Sequence, residues 1–139
     1  LRHTPAHFID IVPTVLELSG AAKPTTIKGM TVPPAPGRSL APAFGRDVVL
    51  PRDYLWWEHE GNRAIRVGDW KLVALAKGGW ELYDLTRDRG ESHNLATQQP
   101  EKVRELTDLW SQHNEATRQL ALTDPPAAPA PKRAKKANR

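Results

Sequence analysis

A chain of 139 residues with 39% hydrophobic side chains has the size of one modest domain, or of part of a larger one, and enough apolar material to build a core. It has no cysteine, which excludes disulfides, cysteine-ligated zinc and a cysteine nucleophile. The net charge of +4 resides in residues 123–139, where five cations (Lys132, Arg133, Lys135, Lys136, Arg139) face one anion (Asp124); the rest, with fifteen basic and fifteen acidic side chains, is neutral, which argues against specific nucleic-acid binding.

The sequence opens on Leu1 and runs almost at once into an apolar segment, as a chain cut from something longer would. No charged segment leads into an apolar run of the signal-peptide kind. No stretch approaches the roughly 18 consecutive apolar residues of a membrane span. Residues 8–19 read as a short amphipathic helix, with Phe8, Val12, Val15 and Leu16 at helical spacing and Ile11 and Leu18 widening the stripe. Asp10 is expected to cap it by accepting a bond from a first-turn amide. Pro13 falls in that first turn, where a missing N–H costs little, and Gly20 is the expected stop. Residues 21–52 carry six prolines and three glycines and read as a long irregular connection pinned to something larger, with Gly37–Leu40 and Pro42 starting a single helical turn.

From 54 to 85 the pattern changes to β-type runs: Tyr54–Glu58, Ala64–Val67, Trp70–Leu75 and Glu81–Leu85. Gly61-Asn62, Gly68-Asp69 and Gly78-Gly79 separate them, and spacers this short allow antiparallel hairpins only. Trp70, Leu72 and Ala74 share one face of their strand, Lys71, Val73 and Leu75 the other. Residues 100–121 form the clearest helix. Pro100 and Glu101 suit its first turn, and Val103, Leu106, Trp110, His113, Thr117 and Leu120 step by three and four. Beyond it, a Pro/Ala and Lys/Arg segment (123–139) has too little apolar surface to fold and is expected to be disordered. The fold class is therefore α+β, a four-stranded antiparallel sheet packed by a long C-terminal helix, preceded by a short helix and a Pro/Gly-rich loop.

Three patterns invite a chemical reading. Glu58-His59-Glu60, with Asn62 and Arg63, combines carboxylates and an imidazole that could serve as acid, base or metal ligand. On a strand, however, Glu58 and Glu60 face one way and His59 the other, which favours a polar hairpin end over a converging site. Gly68-Asp69-Trp70-Lys71 reads as a tight turn whose tryptophan packs inward. The basic tail could touch a polyanion or an anionic membrane, but without interleaved aromatic residues it reads as a solvated tail. No nucleophile turn with a Ser/His/Asp set, no phosphate-cradling glycine loop and no metal-ligand spacing is present.

Several of these strings together resemble the C-terminal region of the sulfatase family, the arylsulfatase-like enzymes. His7-Phe-Ile-Asp-Ile-Val-Pro-Thr-Val-Leu-Glu-Leu-Ser-Gly20 is similar to the family's I-D-x-x-P-T-L-L-D-L-A-G helix. Gly37-Arg-Ser-Leu40 matches the G-x-S-L segment that follows it. Trp57-Glu-His-Glu-Gly-Asn-Arg-Ala-Ile-Arg66 with Gly68-Asp-Trp-Lys-Leu-Val73 is the most specific match. Trp80-Glu-Leu-Tyr-Asp-Leu85 and Glu91-Ser-His-Asn-Leu95 complete the series, in family order and spacing, from about 5 to 120.

The resemblance implies an alkaline-phosphatase-like α/β domain followed by a smaller subdomain. Residues 1–52 would be the end of the large domain, 53–122 the C-terminal subdomain, and the first helix and its loop would contact the large domain and be less well anchored without it. It implies hydrolysis of a sulfate ester by a formylglycine, with calcium neutralising the sulfate. It also implies a periplasmic or secreted enzyme. The formylglycine motif C/S-x-P-x-R and the Asp-Asp or Asp-Asn/Gln dipeptides of the calcium site are absent from this sequence, so no catalytic residue and no cofactor carries over. Glu58, His59 and Asn62, where the resemblance is densest, are the candidates for the rim of the substrate entrance. The competing expectation is a stand-alone, non-catalytic module with a polyanion-binding tail.

Overall fold

A computed structural model describes residues 2–32 and 36–123. The chain divides into two compact units, Leu1–Leu55 and Trp56–Arg139. In the first, a 3₁₀ turn (Phe8–Asp10) runs into α1 (Ile11–Ser19), followed by β1 (Thr26–Ile27), β2 (Met30–Thr31) and the short α2 (Pro42–Gly45). Gly20 ends α1 at φ 67°, the left-handed conformation that a Cβ disfavours. β1 and β2 pair antiparallel, and α2 takes one turn, so the Pro/Gly-rich connection is less irregular than its composition predicts.

Asp10 corrects the sequence reading. It sits at the N-cap position of α1 but makes no side-chain cap bond there. The chain enters helical geometry one turn earlier, capped by the His7 side chain, so the Asp10 carboxylate is turned inward instead. It has no solvent exposure and accepts from the His7 amide (2.8 Å), the Arg38 amide (2.9 Å) and the Arg52 guanidinium. Beside it the buried Thr14 hydroxyl donates to the Asp10 carbonyl (2.6 Å) and accepts from the Leu40 amide (2.8 Å). Gly37–Leu40 is thereby tied to α1. A β-carbon on Gly37 would lie 1.9 Å from the Ile9 carbonyl oxygen, so the two backbones meet where no side chain fits.

The second unit is the expected meander. β3 (Leu55–His59), β4 (Asn62–Val67), β5 (Trp70–Ala74) and β6 (Glu81–Asp84) pair in that order, and α3 (Pro100–Thr123) packs against them. Register sets Ile65 opposite Leu72 and Leu72 opposite Leu82, and all three are fully buried. This row of branched side chains crosses three strands and forms the core with Leu106 of α3, also fully buried. Trp110 of α3 stacks on Trp56 with centroids 6.1 Å apart, meets Trp80 edge-on at 5.8 Å, and donates its indole N–H to the Trp57 carbonyl (3.1 Å).

α3 is longer than its apolar stepping predicts, and its inward stripe is shorter. Leu120 and Leu122 are exposed (53% and 79%), so the helix outruns the surface it covers. Between β6 and α3 the chain returns to the sheet: Leu95 donates to the Leu82 carbonyl (2.8 Å), and the Asn94 side chain accepts from the Leu82 amide (3.1 Å). Residues 124–139, which hold nearly all of the expected tail, lie outside the described residues. Among the described residues, no helix is long and apolar enough to cross a membrane.

Two outcomes are expected. Leu106→Ala should cost about 2–5 kcal/mol in urea unfolding, whereas Leu120→Ala should stay within about 0.5 kcal/mol; equal costs would mean that α3 is packed along its whole length. For Asp10, burial raises the carboxyl's affinity for a proton. The Arg52 bond, the Arg38 and His7 amides and the Arg52 charge together outweigh it, and hold the group below its usual 3.8. Its stabilising contribution is thus complete above the unfolded value and is lost as pH falls through the lower folded one. Protection factors across Ile11–Ser19, with exchange rates corrected for the intrinsic slowing of exchange in acid, should fall below about pH 4 in the native chain, and at every pH in Asp10→Ala, a loss of about 3–5 kcal/mol. Unchanged exchange in Asp10→Ala would refute this role.

Candidate functional site

The end of the sheet that carries Glu58, His59 and Asn62 is built from two neighbouring turns. The first lies one residue earlier than the glycine-asparagine pair predicts: it is Glu60-Gly61, and Asn62 already belongs to β4. Glu60 (φ 51°) and Gly61 (φ 84°) are both left-handed, as the two-residue turns matching strand twist require. Glu60 therefore leaves the strand alternation and does not share a face with Glu58. The second turn spans Leu75 to Gly78, closed by the Gly78 amide donating to the Leu75 carbonyl (2.9 Å), again ahead of the expected Gly78-Gly79.

Two side chains knit the turns together. Asn62 donates from Nδ2 to the His59 carbonyl (3.1 Å) and accepts at Oδ1 from the Ala76 amide (3.1 Å). Arg63 donates to the carbonyls of Gly61, Leu75 and Gly78 (3.2–3.3 Å), and its guanidinium lies 4.6 Å from the centroid of the Trp80 ring. Glu58 accepts from the Gly61 amide (3.0 Å), closing the first turn from within. The three candidates are thus brought together, with unequal duties. Glu58 and Asn62 satisfy the turn backbone, while the exposed His59 ring makes no hydrogen bond or ion pair among the described residues. Arg63, which the sequence flagged only as a neighbour, is the hub of the tip. Its signal was an arginine two residues after one turn glycine and fifteen before another.

A second polar cluster brings Ser92, His93 and Asp88 together. The Ser92 hydroxyl lies 2.8 Å from His93 Nδ1 and donates to Asp88 (3.0 Å). A catalytic triad needs the acid on the imidazole nitrogen away from the nucleophile, which orients the base. Here the carboxylate reaches the serine itself and the same Nδ1 (3.8 Å), and it accepts from the amides of Ser92 and His93 (2.8 Å each). The His93 amide, partly opposed by burial, and the Ser92 bonds hold Asp88 below the usual carboxylate range. It organises a loop. On β6 Tyr83 donates to Glu81 (2.6 Å), and that bond, aided by burial, pushes its pKa up to about 12. Among the described residues, no three His, Asp or Glu side chains converge to hold a metal ion. Asp10, the one fully buried carboxylate among them, is engaged by two amides and Arg52, so these residues do not fit the calcium site of the resemblance.

The family described as N-sulphoglucosamine sulphohydrolase, C-terminal, matches residues 5–119. The chain belongs to the sulfatase family. An uncharacterized sulfatase of Schizosaccharomyces pombe is 36% identical, over 73% of this chain and 20% of its own length. Arylsulfatase K of Xenopus laevis is 30% identical, over 74% and 21%. The chain thus spans about a fifth of these sulfatases. Among solved structures, BT4656 in complex with its substrate D-glucosamine-2-N,6-O-disulfate superposes with a TM-score of 0.53 at 26% identity, over 84% of this chain and 24% of that one. Ps i-CgsB gives a TM-score of 0.59 at 21% identity over 78% and 24%, which supports the sulfatase fold.

The tip makes a stability prediction. Asn62→Ala removes both of its bonds between turn segments and should cost about 1–2 kcal/mol. His59→Ala should stay within about 0.5 kcal/mol, and Glu60→Asn should stabilise by up to about 1 kcal/mol, because asparagine tolerates the left-handed region. Thermal unfolding of the three variants tests this ordering; a His59 variant costing as much as the Asn62 variant would show His59 to be a structural residue.

Proposed function

We propose that this chain is the C-terminal part of a sulfatase that hydrolyses sulfate esters, with the nucleophile and the calcium site carried by the part of the polypeptide preceding it. The carrying observation is the family match over residues 5–119, together with the absence of C/S-x-P-x-R from the sequence. On this reading residues 1–52 close the large domain and 53–122 form the C-terminal subdomain. Sulfated sugars are the substrate class this reading favours, since BT4656 is described with a glucosamine disulfate as its substrate. The upstream domain is the partner, and a periplasmic or secreted enzyme is what the resemblance implies.

Within that enzyme His59 lines the rim of the substrate entrance, flanked by Glu58 and Asn62. The support is a division of labour: Glu58 and Asn62 are spent on the turn, whereas His59 is held at a fixed point with its ring uncommitted. A side chain on a braced tip can meet a ligand without losing further freedom. His59 would contact the organic part of the substrate, because the sulfate's partners lie upstream.

Two measurements test the reading. The chain alone, incubated with an aryl sulfate and calcium, should release sulfate only at background, since nothing in it attacks or neutralises the sulfate. Calcium-dependent turnover would overturn the assignment of chemistry upstream. In the full-length sulfatase, His59→Ala should raise KM severalfold, on the order of 1 kcal/mol of binding, with kcat and melting temperature nearly unchanged. Unaltered kinetics on every sulfated sugar tried would remove His59 from the rim.

A further inference from the structure

At the sheet tip Glu58, Asn62 and Arg63 all end on turn backbone. Three side chains at the same end do not: His59, Leu75 (73% exposed) and the exposed Lys77. Among the described residues neither His59 nor Lys77 makes a hydrogen bond or an ion pair. His59 and Leu75 face the same way. Trp56 stacks on Trp110 of α3, so strand alternation turns His59 to the opposite face. Leu72 lies in the core with Leu106, so the same alternation along β5 turns Leu75 away from α3. β4 runs between them, with Asn62 bonded to the His59 carbonyl and the Ala76 amide. The two side chains thus stand two strand spacings apart, about 9–10 Å. One sugar ring does not reach across that gap; two linked rings do. The turns also touch, since a β-carbon on Gly61 would lie 3.1 Å from that of Ala76. Lys77 follows Ala76, and its neighbours Ala76, Gly78 and Gly79 carry at most a methyl group to crowd a ligand. Charge is uneven along the tip. The first turn holds Glu58 and Glu60, whereas Lys77 is the only charged residue between Val73 and Trp80, so an anionic group is drawn to the second turn.

We propose that Leu75 and Lys77 form a second subsite beside His59, which takes the adjoining unit of a sulfated oligosaccharide. Leu75 lies under the apolar C–H face of that ring, and Lys77 meets its anionic substituent, a sulfate or a carboxylate. The inference rests on the reading of His59 as part of the substrate rim and extends it from one sugar unit to two. An exposed leucine on a braced turn offers apolar surface at little ordering cost. Lysine supplies a compact charge on a flexible stem, without the fixed fork of arginine, so either oxyanion serves.

Competition against aryl sulfate hydrolysis by the full-length sulfatase tests this. Three disaccharides serve as competitors: a chondroitin-derived one with a sulfate on one unit and a carboxylate on the other, a keratan-derived one sulfated on both units, and a keratan-derived one with an uncharged second unit. Lys77→Glu should raise the inhibition constants of the first two roughly tenfold more than that of the third. The difference should shrink as salt is raised towards about 1 M, and Lys77→Arg should restore wild-type selectivity. Whichever of the first two loses more identifies the carboxylate or the sulfate as the group Lys77 meets. Leu75→Ala should weaken all three about threefold relative to the aryl sulfate. Both positions are exposed, so unchanged melting temperatures check that the tip is intact. Equal losses for all three in Lys77→Glu, no loss for any, or failure of all three to compete overturns the proposal. His59→Ala tests the rim separately: selective loss in Lys77→Glu with none in His59→Ala leaves the subsite standing without the rim. If the full-length protein hydrolyses no sulfate ester, NMR titration of the 139-residue chain with the disulfated disaccharide decides. Shifts of the Leu75 methyl resonances that Lys77→Glu abolishes support the subsite, and unmoved resonances at the highest soluble concentration overturn it.

Discussion

A carboxylate with no access to water holds the first unit together. Burying Asp10 alone would cost several kcal/mol, and the structure meets that cost with two amides and a guanidinium placed around it. Each donor comes from a different stretch: His7 from the helix entry, Arg38 from the returning loop, Arg52 from the approach to β3. One anion thus fixes the relative positions of segments some forty residues apart, without an apolar core beneath them. Thr14 repeats the arrangement one turn on, and Gly37 permits it by having no side chain where the backbones meet.

The second unit solves the same problem by the opposite means. A row of Ile65, Leu72 and Leu82 and the Trp56–Trp110–Trp80 group exclude water, and hydrogen bonds finish the ends. Arg63 bridges the two regimes: its guanidinium lies over an indole while its N–H groups serve three turn carbonyls. That fixes both turns, while the exposed His59 ring makes no hydrogen bond or ion pair among the described residues.

The sheet and its order were legible because periodicity and glycine pairs are local signals, and local signals survive in a single sequence. The strands lie within one residue of where alternation puts them at every end but one, since β4 begins two residues earlier, at Asn62. Turn positions slipped because a glycine marks a turn without saying which of its places it occupies; Glu60 takes the left-handed place that Asn62 was expected to help fill. Asp10 was misread for a different reason. Two of its three partners are 28 and 42 residues away, and from sequence an aspartate at a helix start always resembles a cap. The candidate site was legible as a cluster but not as a hierarchy, since only coordinates reveal which side chains the turns consume. The Ser92–His93–Asp88 group shows the converse, in which proximity imitates chemistry that its geometry does not support.

The closing of β6 by Asn94 and Leu95 has a bearing on how such a chain behaves when made alone. The outer strands of an open sheet present unpaired amides and carbonyls, which invite other chains to add on and aggregate. On one rim the Leu82 amide and carbonyl are occupied by the returning loop, and on the other the Trp57 carbonyl is held by the Trp110 indole. With these groups engaged, fewer places remain on the two outer strands where the backbone of a second chain could add.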